Sequence, residues 1–387
     1  MKKNGQIPEL RLKEFNNPWK LELLENIAKR GSGHTPNKKH KNYYNGDIKW
    51  VSLADSKYLD DGFINETTYQ ISEEGIRNSS AVLHDKGSVL LSRDAGIGKS
   101  AVMKSKMAVS QHFIVWKPHK DKLDNWFLYY ILQIYKPEFE RIAIGSTIKT
   151  IGLPYFKKLK IKVPELEEQQ KIASFLSAVD IKIAQLQRKK ELLEEYKKGG
   201  MQQIFSRQLR FTKEDGGAYP DWEEKRLGEV AKKESSSISA NKIEDNFGNY
   251  KIYGATGLIK CIDFYEVGED YISIVKDGAG VGRTLLCEAE SSVLGTLDII
   301  KPKKDVNLYF LYSLLNNLNF TKYITGSTIP HIYFKDYSKA RIKIPCIEEQ
   351  TQISHFLSAI DKKIEVVQSQ IKHTQNFKKG LLQQMFV

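Results

Sequence analysis

The chain contains a long internal repeat, and this repeat constrains its fold more than any other feature. Residues 145–205 align with residues 326–386 without a gap, at a constant offset of 181 positions, and about 27 of the 61 aligned residues are identical. Each copy opens with Gly-Ser-Thr-Ile, continues through a short strand-like run that ends in proline, and then reaches Glu-Glu-Gln. A repeat of this length indicates two copies of one structural unit.

A weaker repeat opens each half of the chain. Leu10-Arg11-Leu12, followed by Trp19, matches Leu209-Arg210-Phe211, followed by Trp222. The stretches between the opening and closing repeats share little sequence. The order of the chain is therefore module, helix, module, helix, with two similar frames that carry two unlike inserts. Such an arrangement lets one scaffold hold two separate specificities.

The second part of each repeat predicts a long helix. No proline interrupts residues 165–205, and apolar residues recur at alternating steps of four and three. This spacing of 3.5 residues is typical of a coiled-coil seam, in which each helix needs a partner to cover its apolar stripe. Because two similar halves can bury each other's stripe, we expect the two helices to pair in antiparallel orientation. The predicted seam residues are Ile172, Leu176, Val179, Ile183 and Leu186 in the first helix, and Ile353, Leu357, Ile360, Ile364 and Val367 in the second.

The modules themselves read as mixtures of strands and helices. Short β-rich runs lead into glycine turns, and an aromatic-rich, helix-like stretch follows in each module, at residues 126–132 and 308–315. We assign these aromatic residues to the cores. The predicted fold class is mixed α/β (α+β), with two modules joined by two long antiparallel coiled-coil helices in an internal pseudo-twofold repeat. The predicted boundaries are 1–164 for the first module, 165–206 for the first helix, 207–345 for the second module and 346–387 for the second helix.

The charge balance points to a polyanionic partner. Sixty Lys and Arg residues against 47 Asp and Glu residues leave a net charge of +13. Such a surplus suits nucleic acid, because neutralising phosphates releases condensed counterions. A merely basic, solvated surface would give the same total, so charge alone leaves both interpretations open.

Cysteine usage and hydropathy indicate the compartment. The chain has three cysteines, none in a CxxC pair, which is typical of a reducing environment and argues against a disulfide framework or a zinc site. No run of 18 apolar residues occurs, and the charged sequence after the first six residues does not fit a signal peptide. We therefore expect a cytoplasmic protein without a membrane segment or a bound metal.

Two glycine-rich segments follow predicted strands at related places in the modules. The first ends in Gly-Lys-Ser, but a phosphate-binding loop requires glycine where Arg93 stands, so the nucleotide-binding interpretation fails. The second ends in Gly-Arg-Thr and is one residue longer. A basic residue, an aspartate, a glycine turn and another basic residue suit close approach to DNA. Arg93, Lys99, Lys276 and Arg283 are the predicted contacts to phosphates or guanine edges; the alternative is a turn packed on its own module.

The repeated Gly-Ser-Thr turns form a second candidate contact. Short hydroxyls and backbone amides can hold phosphates, and a basic residue or a histidine stands close by in each copy. Because both halves share this turn, it cannot distinguish two different sequences, so we assign it a phosphate-positioning role. The alternative is a turn that only starts the following strand. The predicted residues are Ser146, Thr147 and Lys149 in the first copy and Ser327, Thr328 and His331 in the second.

The doubled frame resembles the specificity subunit of type I restriction–modification enzymes over nearly the whole chain. Further strings are similar to modules of that family: Gly33-His34-Thr35-Pro36 with Ile48-Lys49-Trp50 downstream, and Tyr250-Lys251-Ile252-Tyr253-Gly254 in the second half. The Gly-Ser-Thr turn, the strand ending in proline and the Glu-Glu-Gln helix start occur twice, in the same order.

The resemblance implies two target-recognition modules, each contacting one half of a split double-stranded DNA target. It also implies that the helical pair sets the gap between half-sites and docks two methyltransferase subunits, and that motor-nuclease subunits join them. About 40 helical residues span roughly 60 Å, enough to separate modules by one DNA turn of about 34 Å. S-adenosylmethionine and ATP with Mg²⁺ would belong to the partner chains, leaving this chain without a cofactor of its own.

Enzymatic interpretations lack their motifs. No Asn/Asp-Pro-Pro-Tyr string, expected of an amino-methyltransferase, is present, and the histidines form no HExxH pattern. The carboxylates near Pro220-Asp221 lie too close along the chain for a nuclease site. We therefore predict no catalytic residues. The remaining alternative is a non-catalytic coiled-coil scaffold without DNA specificity, which gives no reason for divergent inserts or basic glycine turns.

Overall fold

The computed structural model describes residues 7–146 and 149–387. Packing divides the described chain into two compact units. The first unit contains the residues up to Gln187 together with Ser369–Val387, and the second unit contains Arg188–Gln368. Each unit therefore combines one module with a part of both long helices.

The first unit contains eleven strands in its described residues. The strands are β1 Lys20–Leu23, β2 Ala28–Ser32, β3 Tyr44–Val51, β4 Phe63–Ile64, β5 Tyr69–Ile71, β6 Leu83–His84, β7 Val89–Ser92, β8 Ser100–Met103, β9 Met107–Val109, β10 Phe113–Pro118 and β11 Lys160–Val163. The helices that begin in this unit are α1 Leu24–Ile27, α2 Glu73–Arg77, α3 Asn125–Ile142, α4 Leu153–Lys157 and the long α5 Leu166–Phe205. Short 3-10 helices lie at Lys41–Tyr43 and Leu53–Tyr58.

The second unit contains a smaller set of elements. Its strands are β12 Glu223–Arg226, β13 Ala231–Ser235, β14 Tyr250–Gly254, β15 Gly257–Ile262, β16 Tyr271–Val275, β17 Thr284–Cys287, β18 Ser291–Val293, β19 Leu297–Pro302 and β20 Arg341–Ile344. The helices that begin in it are α6 Leu227–Val230, α7 Leu308–Asn317, α8 Phe334–Tyr337 and the long α9 Ile347–Gln384. Its 3-10 helices lie at Asn241–Ile243 and Phe320–Tyr323.

The two units share the order of four strands in their main sheets although their inserts differ in sequence, and the first unit adds β4 at one edge. The main sheet runs β2-β10-β7-β8-β4 in the first unit and β13-β19-β16-β17 in the second. Beside it, β3 pairs with β9 in parallel, as β14 pairs with β18. A two-stranded sheet, β1-β11 or β12-β20, joins the opening repeat to the closing repeat. The repeated sequences therefore lie next to each other within each unit and form its frame.

The aromatic-rich helical stretches belong to the cores. In α3, Phe127, Tyr129 and Tyr130 are buried, and in α7 Phe310 and Leu311 are buried. Burial is the main cause that raises the pKa of the Tyr130 hydroxyl, which donates to Asp180 Oδ2 on α5 at 2.8 Å. These helices thus attach each module to the long helices.

The repeated Glu-Glu-Gln explains how each long helix is fixed to its frame. In the first unit, the buried Glu168 accepts hydrogen bonds from Arg11 Nε at 2.8 Å and from Arg11 Nη2 at 2.7 Å, and Trp19 Nε1 donates to it at 3.3 Å. The hydrogen bond to Glu168 raises the pKa of Arg11. In the second unit, Arg210 and Trp222 make the same contacts to Glu349.

The glutamine of this motif ties the helix start to the loop before the core helix. Gln169 Nε2 donates to the carbonyl oxygens of Lys122 and Pro164, and its Oε1 accepts from Asp124 N at 2.9 Å. Gln350 repeats this pattern in the second unit, where its Oε1 accepts from Asn307 N at 2.9 Å. These polar residues, which recur in both copies, thus occupy buried positions and form hydrogen bonds within the frame.

The long helices pair in antiparallel orientation. In the first unit, the first half of α5 packs against the end of α9, and in the second unit the end of α5 packs against the start of α9. Ion pairs join the helices in both units, Lys378 with Asp180 at 2.6 Å and Lys197 with Asp361 at 2.7 Å. Among the predicted seam positions, Ile183 and Ile364 are half-buried and the other eight are buried: Ile172, Leu176, Val179, Leu186, Ile353, Leu357, Ile360 and Val367. Within the described chain, no helix is long and apolar enough to cross a membrane.

Candidate nucleic-acid interface

The first glycine loop (residues 93–99) forms the connection between β7 and β8. Ser92 N donates to the Lys99 carbonyl at 2.8 Å, and Gly98 N donates to the Ser92 carbonyl at 2.9 Å. Gly98 has a φ of +79°, in the left-handed region, and a Cβ there would lie 2.8 Å from the Lys136 side chain. Glycine is required at this position for both reasons.

The second glycine loop (residues 276–283) connects β16 and β17 in the same way. Val275 N donates to the Arg283 carbonyl at 2.9 Å, and Gly282 N donates to the Val275 carbonyl at 2.8 Å. The two loops therefore close with matching pairs of hydrogen bonds, and the second accommodates its extra residue within the turn. They are structurally equivalent loops that carry different side chains.

Each glycine loop is attached to the Gly-Ser-Thr turn of its own unit. Ile151 N donates to the Arg93 carbonyl at 2.9 Å, and Ile332 N donates to the Lys276 carbonyl at 2.9 Å. Within each turn, an antiparallel bridge pairs the flanking residues, Ile144 with Thr150 and Thr325 with His331. The structure thus brings together two features that the sequence presents far apart.

An aspartate in each glycine loop strengthens this attachment. In the first unit, Asp94 accepts a hydrogen bond from Thr150 Oγ1, and its Oδ2 lies 2.5 Å from His112 Nδ1. In the second unit, Asp277 Oδ1 lies 3.3 Å from His331 Nδ1. Thr150 and His331 occupy the same position of the repeat. His331 is therefore placed beside a carboxylate of the glycine loop, a contact that the sequence alone does not indicate.

The basic side chains of the first loop are partly held by the protein. Arg93 Nε lies 3.5 Å from Asp94 Oδ1, and Lys99 Nζ donates to the Ser56 carbonyl at 3.0 Å. Lys149 is exposed. It borders, with Lys99 and Lys136, a cleft of about 490 Å³ beside the loop. Glu140 also lines this cleft, and Lys136 is paired with Asp60, so the positive charge without a salt-bridge partner among the described residues comes from Lys99 and Lys149.

The basic side chains of the second loop show the same combination of anchoring and exposure. Lys276 Nζ lies 3.6 Å from Asp298 Oδ1. Arg283 is exposed, and its Nη1 donates to the Ala255 carbonyl at 2.9 Å. Since a guanidinium has five N–H donors and an ammonium three, each anchored group keeps donors for a ligand.

The hydroxyl residues of the turns lie at the surface where the structure describes them. Ser146, Ser327 and Thr328 are exposed. Thr147, the remaining predicted hydroxyl, lies outside the described residues. Gly326 has a φ of +87°, which holds the second turn in a conformation that favours glycine.

Lys136 was not among the residues predicted from the sequence. It lies on α3, and its Nζ is 2.7 Å from Asp60 Oδ2, 76 positions away. No local pattern marks it, because only the folded sheet brings α3 against the glycine loop. No group of three or more His, Cys, Asp or Glu side chains that could hold a metal ion occurs in the part of the chain that the structure describes.

Comparison with known proteins links this architecture to one family. The family model described as "Type I restriction modification DNA specificity domain" matches residues 16–195 and 219–374. The chain is 29% identical over 378 aligned residues to the type I restriction enzyme MjaIX specificity subunit of Methanocaldococcus jannaschii, covering 88% of this chain and 84% of that protein. It is 26% identical over 415 aligned residues to the putative type I restriction enzyme MjaX specificity subunit of the same organism, covering 98% and 93%.

A solved structure shows the same fold. The S subunit of a type I restriction–modification system from M. genitalium superposes with a TM-score of 0.67, covering 98% of this chain and 99% of that chain. The two sequences are 17% identical. The fold is therefore shared although most residues differ.

Proposed function

The chain belongs to the family of type I restriction–modification DNA specificity domains, and from this premise we propose that it selects a bipartite DNA target for partner methyltransferase and restriction subunits. It is a targeting subunit without a catalytic site. The first unit would contact one half-site and the second unit the other.

One observation carries this proposal: equivalent loops on one scaffold present different side chains. Arg93 and Lys99 of the first glycine loop correspond to Lys276 and Arg283 of the second, and the hydrogen bonds that close the two loops match. A shared scaffold with unlike contact residues is suited to two different half-sites. A coiled-coil scaffold without DNA specificity would not require this difference.

The proposed contacts divide into two kinds. Exposed groups of the Gly-Ser-Thr turns, such as Lys149 and Ser327, are suited to phosphates, which position a protein on DNA without identifying the sequence. Guanidinium and ammonium groups of the glycine loops are suited to guanine edges in the major groove. The net charge of +13 favours both through counterion release.

We further propose that α5 and α9 determine the spacing between half-sites. Both helices run without interruption, over 40 and 38 residues. The contacts of Glu168 and Glu349 with their frames fix the starts of the two helices. A change in helix length would therefore change the position of the attached module.

The partners supply the chemistry in this proposal. Two methyltransferase subunits would bind S-adenosylmethionine and methylate a base flipped out of the duplex. Motor-nuclease subunits would bind ATP with Mg²⁺. The complex would act in the cytoplasm, where its DNA target lies.

Alanine substitution in one glycine loop is expected to affect one half-site only. Arg93→Ala should weaken binding by about 1–3 kcal/mol if the side chain contacts a base, and should lower the salt dependence if it contacts a phosphate. The measurement is binding of the complex to duplexes in which one half-site at a time is scrambled. Scrambling the half-site of the first unit should reduce the binding affinity of Arg93→Ala less than that of wild type, because the variant has already lost its contact to this half-site. Arg283→Ala should show the same loss of coupling, meaning a smaller effect of scrambling than in wild type, at the half-site of the second unit.

Arginines that lie away from the loops provide matched controls. Arg77 on α2 and Arg341 on β20 are both highly exposed, with 76% and 81% of their side-chain surface accessible. Arg77→Ala and Arg341→Ala remove the same charge and should leave the coupling to each half-site unchanged. Wild-type coupling in both loop variants would contradict the assignment of the loops.

A further inference from the structure

A second cavity of the first unit shares His112 with the contacts described above, and its other lining residues have no part in them. Its volume is about 490 Å³, and it opens between the 3-10 helix at Leu53–Tyr58 and the strands β3 and β5. We call it the aromatic cavity. Its lining includes Lys38, Tyr44, Trp50, Tyr69, Ser110 and His112.

The aromatic walls are held in place by hydrogen bonds at their edges. The Tyr44 hydroxyl donates to the Pro36 carbonyl at 2.6 Å, and Trp50 Nε1 donates to the His34 carbonyl at 3.1 Å. Burial raises the pKa of the Tyr44 hydroxyl, which therefore remains a neutral donor. The two rings pack edge to face, with centroids 6.1 Å apart. Their polar atoms are occupied within the protein. Trp50 is 5% exposed and packs with Ile71 and Ala108, so it contributes only an edge to the cavity wall, whereas Tyr69 is 54% exposed and offers its ring to a ligand.

A buried polar group lies in the wall of the same cavity. Ser110 is 1% exposed, and its Oγ has no hydrogen-bond partner within the chain as described. Desolvation of a hydroxyl without a hydrogen bond is costly. Ser88 and Ser105 also have buried hydroxyls without a partner in the described chain, but of these three serines only Ser110 lines the cavity. His112 lies close by, with Nδ1 directed to Asp94, and the exposed Lys38 borders the opening. The cavity thus combines ring surfaces, an unused hydroxyl and a cation.

The second unit replaces the residues that create this cavity. Ser110 N donates to the Val51 carbonyl at 2.8 Å, and Leu294 N donates to the Tyr253 carbonyl at 3.0 Å, so Leu294 is the equivalent of Ser110. By the same parallel pairing of strands, Ile252 stands where the first unit has Trp50. A shared scaffold therefore carries the aromatic residue and the hydroxyl in one unit only, so the architecture that the units share does not require either residue.

We propose that the aromatic cavity binds a single nucleotide, with its base against the exposed ring of Tyr69 and the edge of Trp50, and its phosphate near Lys38. Planar bases stack on aromatic side chains, a base edge supplies the hydrogen-bond partner that the Ser110 hydroxyl lacks, and an ammonium neutralises a phosphate. The nucleotide is either an unstacked residue of the bound DNA or a free mononucleotide. Binding of a nucleotide from DNA rests on the proposed function, whereas binding of a free mononucleotide does not.

The test uses variants that install residues of the second unit. Trp50→Ile and Ser110→Leu introduce side chains that the same architecture already carries at equivalent positions. Tyr265→Ala removes an exposed aromatic ring of the second unit and serves as the matched control. Thermal unfolding first establishes that all three variants fold.

The DNA arm uses the full chain with its partner subunits and a target duplex that carries 2-aminopurine at successive positions. Wild type is expected to increase the fluorescence at one position in or beside the half-site of the first unit, and Ser110→Leu is expected to abolish this increase. Trp50→Ile should bind the target about tenfold more weakly. An abasic residue at that position should remove the difference from wild type.

The free-nucleotide arm uses equilibrium dialysis of the chain with each deoxynucleoside 5′-monophosphate. Stoichiometric binding that Trp50→Ile abolishes and Tyr265→Ala preserves would support the cavity with a free nucleotide as its source. Wild-type behaviour of both cavity variants in both arms would overturn the proposal. If wild type still selected a split target in that case, the proposed function would stand while the cavity assignment fell.

Discussion

Replacing Glu168 by alanine is expected to lower the free energy of unfolding by about 3–5 kcal/mol, because it leaves a largely buried guanidinium without its counter-charge. The Glu168 side chain has no exposed surface, and Arg11 retains 10% of its own. The same carboxylate accepts from Trp19 Nε1, so the substitution also leaves an indole N–H unpaired in the core. Urea denaturation followed by tryptophan fluorescence measures the loss.

The neighbouring glutamate provides the control. Glu167 is 71% exposed and pairs with Lys171 one helical turn away. Exposed pairs of this kind contribute little, so Glu167→Ala is expected to change stability by less than about 0.5 kcal/mol. Glu349→Ala should also destabilise the chain, because Arg210 and Trp222 repeat the contacts in the second unit, but by less, since Arg210 is 27% exposed and keeps Asp221 as a partner. Equal, small losses for Glu167→Ala and Glu168→Ala would contradict the frame role of this motif.

Removing one heptad from each long helix is expected to abolish methylation of the original target and to create a preference for a shorter spacer. Seven helical residues span about 10 Å, and one base pair spans about 3.4 Å, so the spacer should shorten by about three base pairs. Suitable deletions are residues 185–191 of α5 and 366–372 of α9, which occupy equivalent positions of the repeat. A library of targets with variable spacers, methylated by the complex and then sequenced, measures the preference.

A deletion in one helix only tests whether the paired seam matters for this result. Removing residues 185–191 alone leaves part of the opposing apolar stripe without a partner, so this variant should lose stability and form less complex. Retention of the original spacer by the double deletion, with normal stability, would exclude the helices as the determinant of spacing.

The frame could be predicted from the sequence because its signals are local or repeated. The 3.5-residue spacing of apolar positions indicates the paired helices without reference to distant residues, and the structure contains them as α5 and α9. The repeat also indicates that Trp19 and Trp222 occupy equivalent positions with equivalent contacts in the two halves. The role of Glu168 and Glu349 as buried acceptors was not apparent, because glutamate at a helix start is usually solvated.

The structure of the inserts could not be predicted in the same way, because the order of their strands depends on contacts between residues that lie far apart in the sequence. The main sheets of the two units match over four strands although their sequences do not, since backbone pairing tolerates many side chains. The contact of Asp94 with Thr150 joins residues 56 positions apart. The aromatic cavity combines a motif near Thr35 with Ser110 and His112, and no spacing in the sequence indicates that they meet.

The most direct test of the central claim is a map of modified bases across the host genome, with this chain present and with it deleted. The proposed function predicts that deletion abolishes methylation at one split motif, composed of two short sequences separated by unspecified bases, and leaves other motifs unchanged. With the partner subunits shown to be expressed, identical maps in the two strains would contradict target selection by this chain.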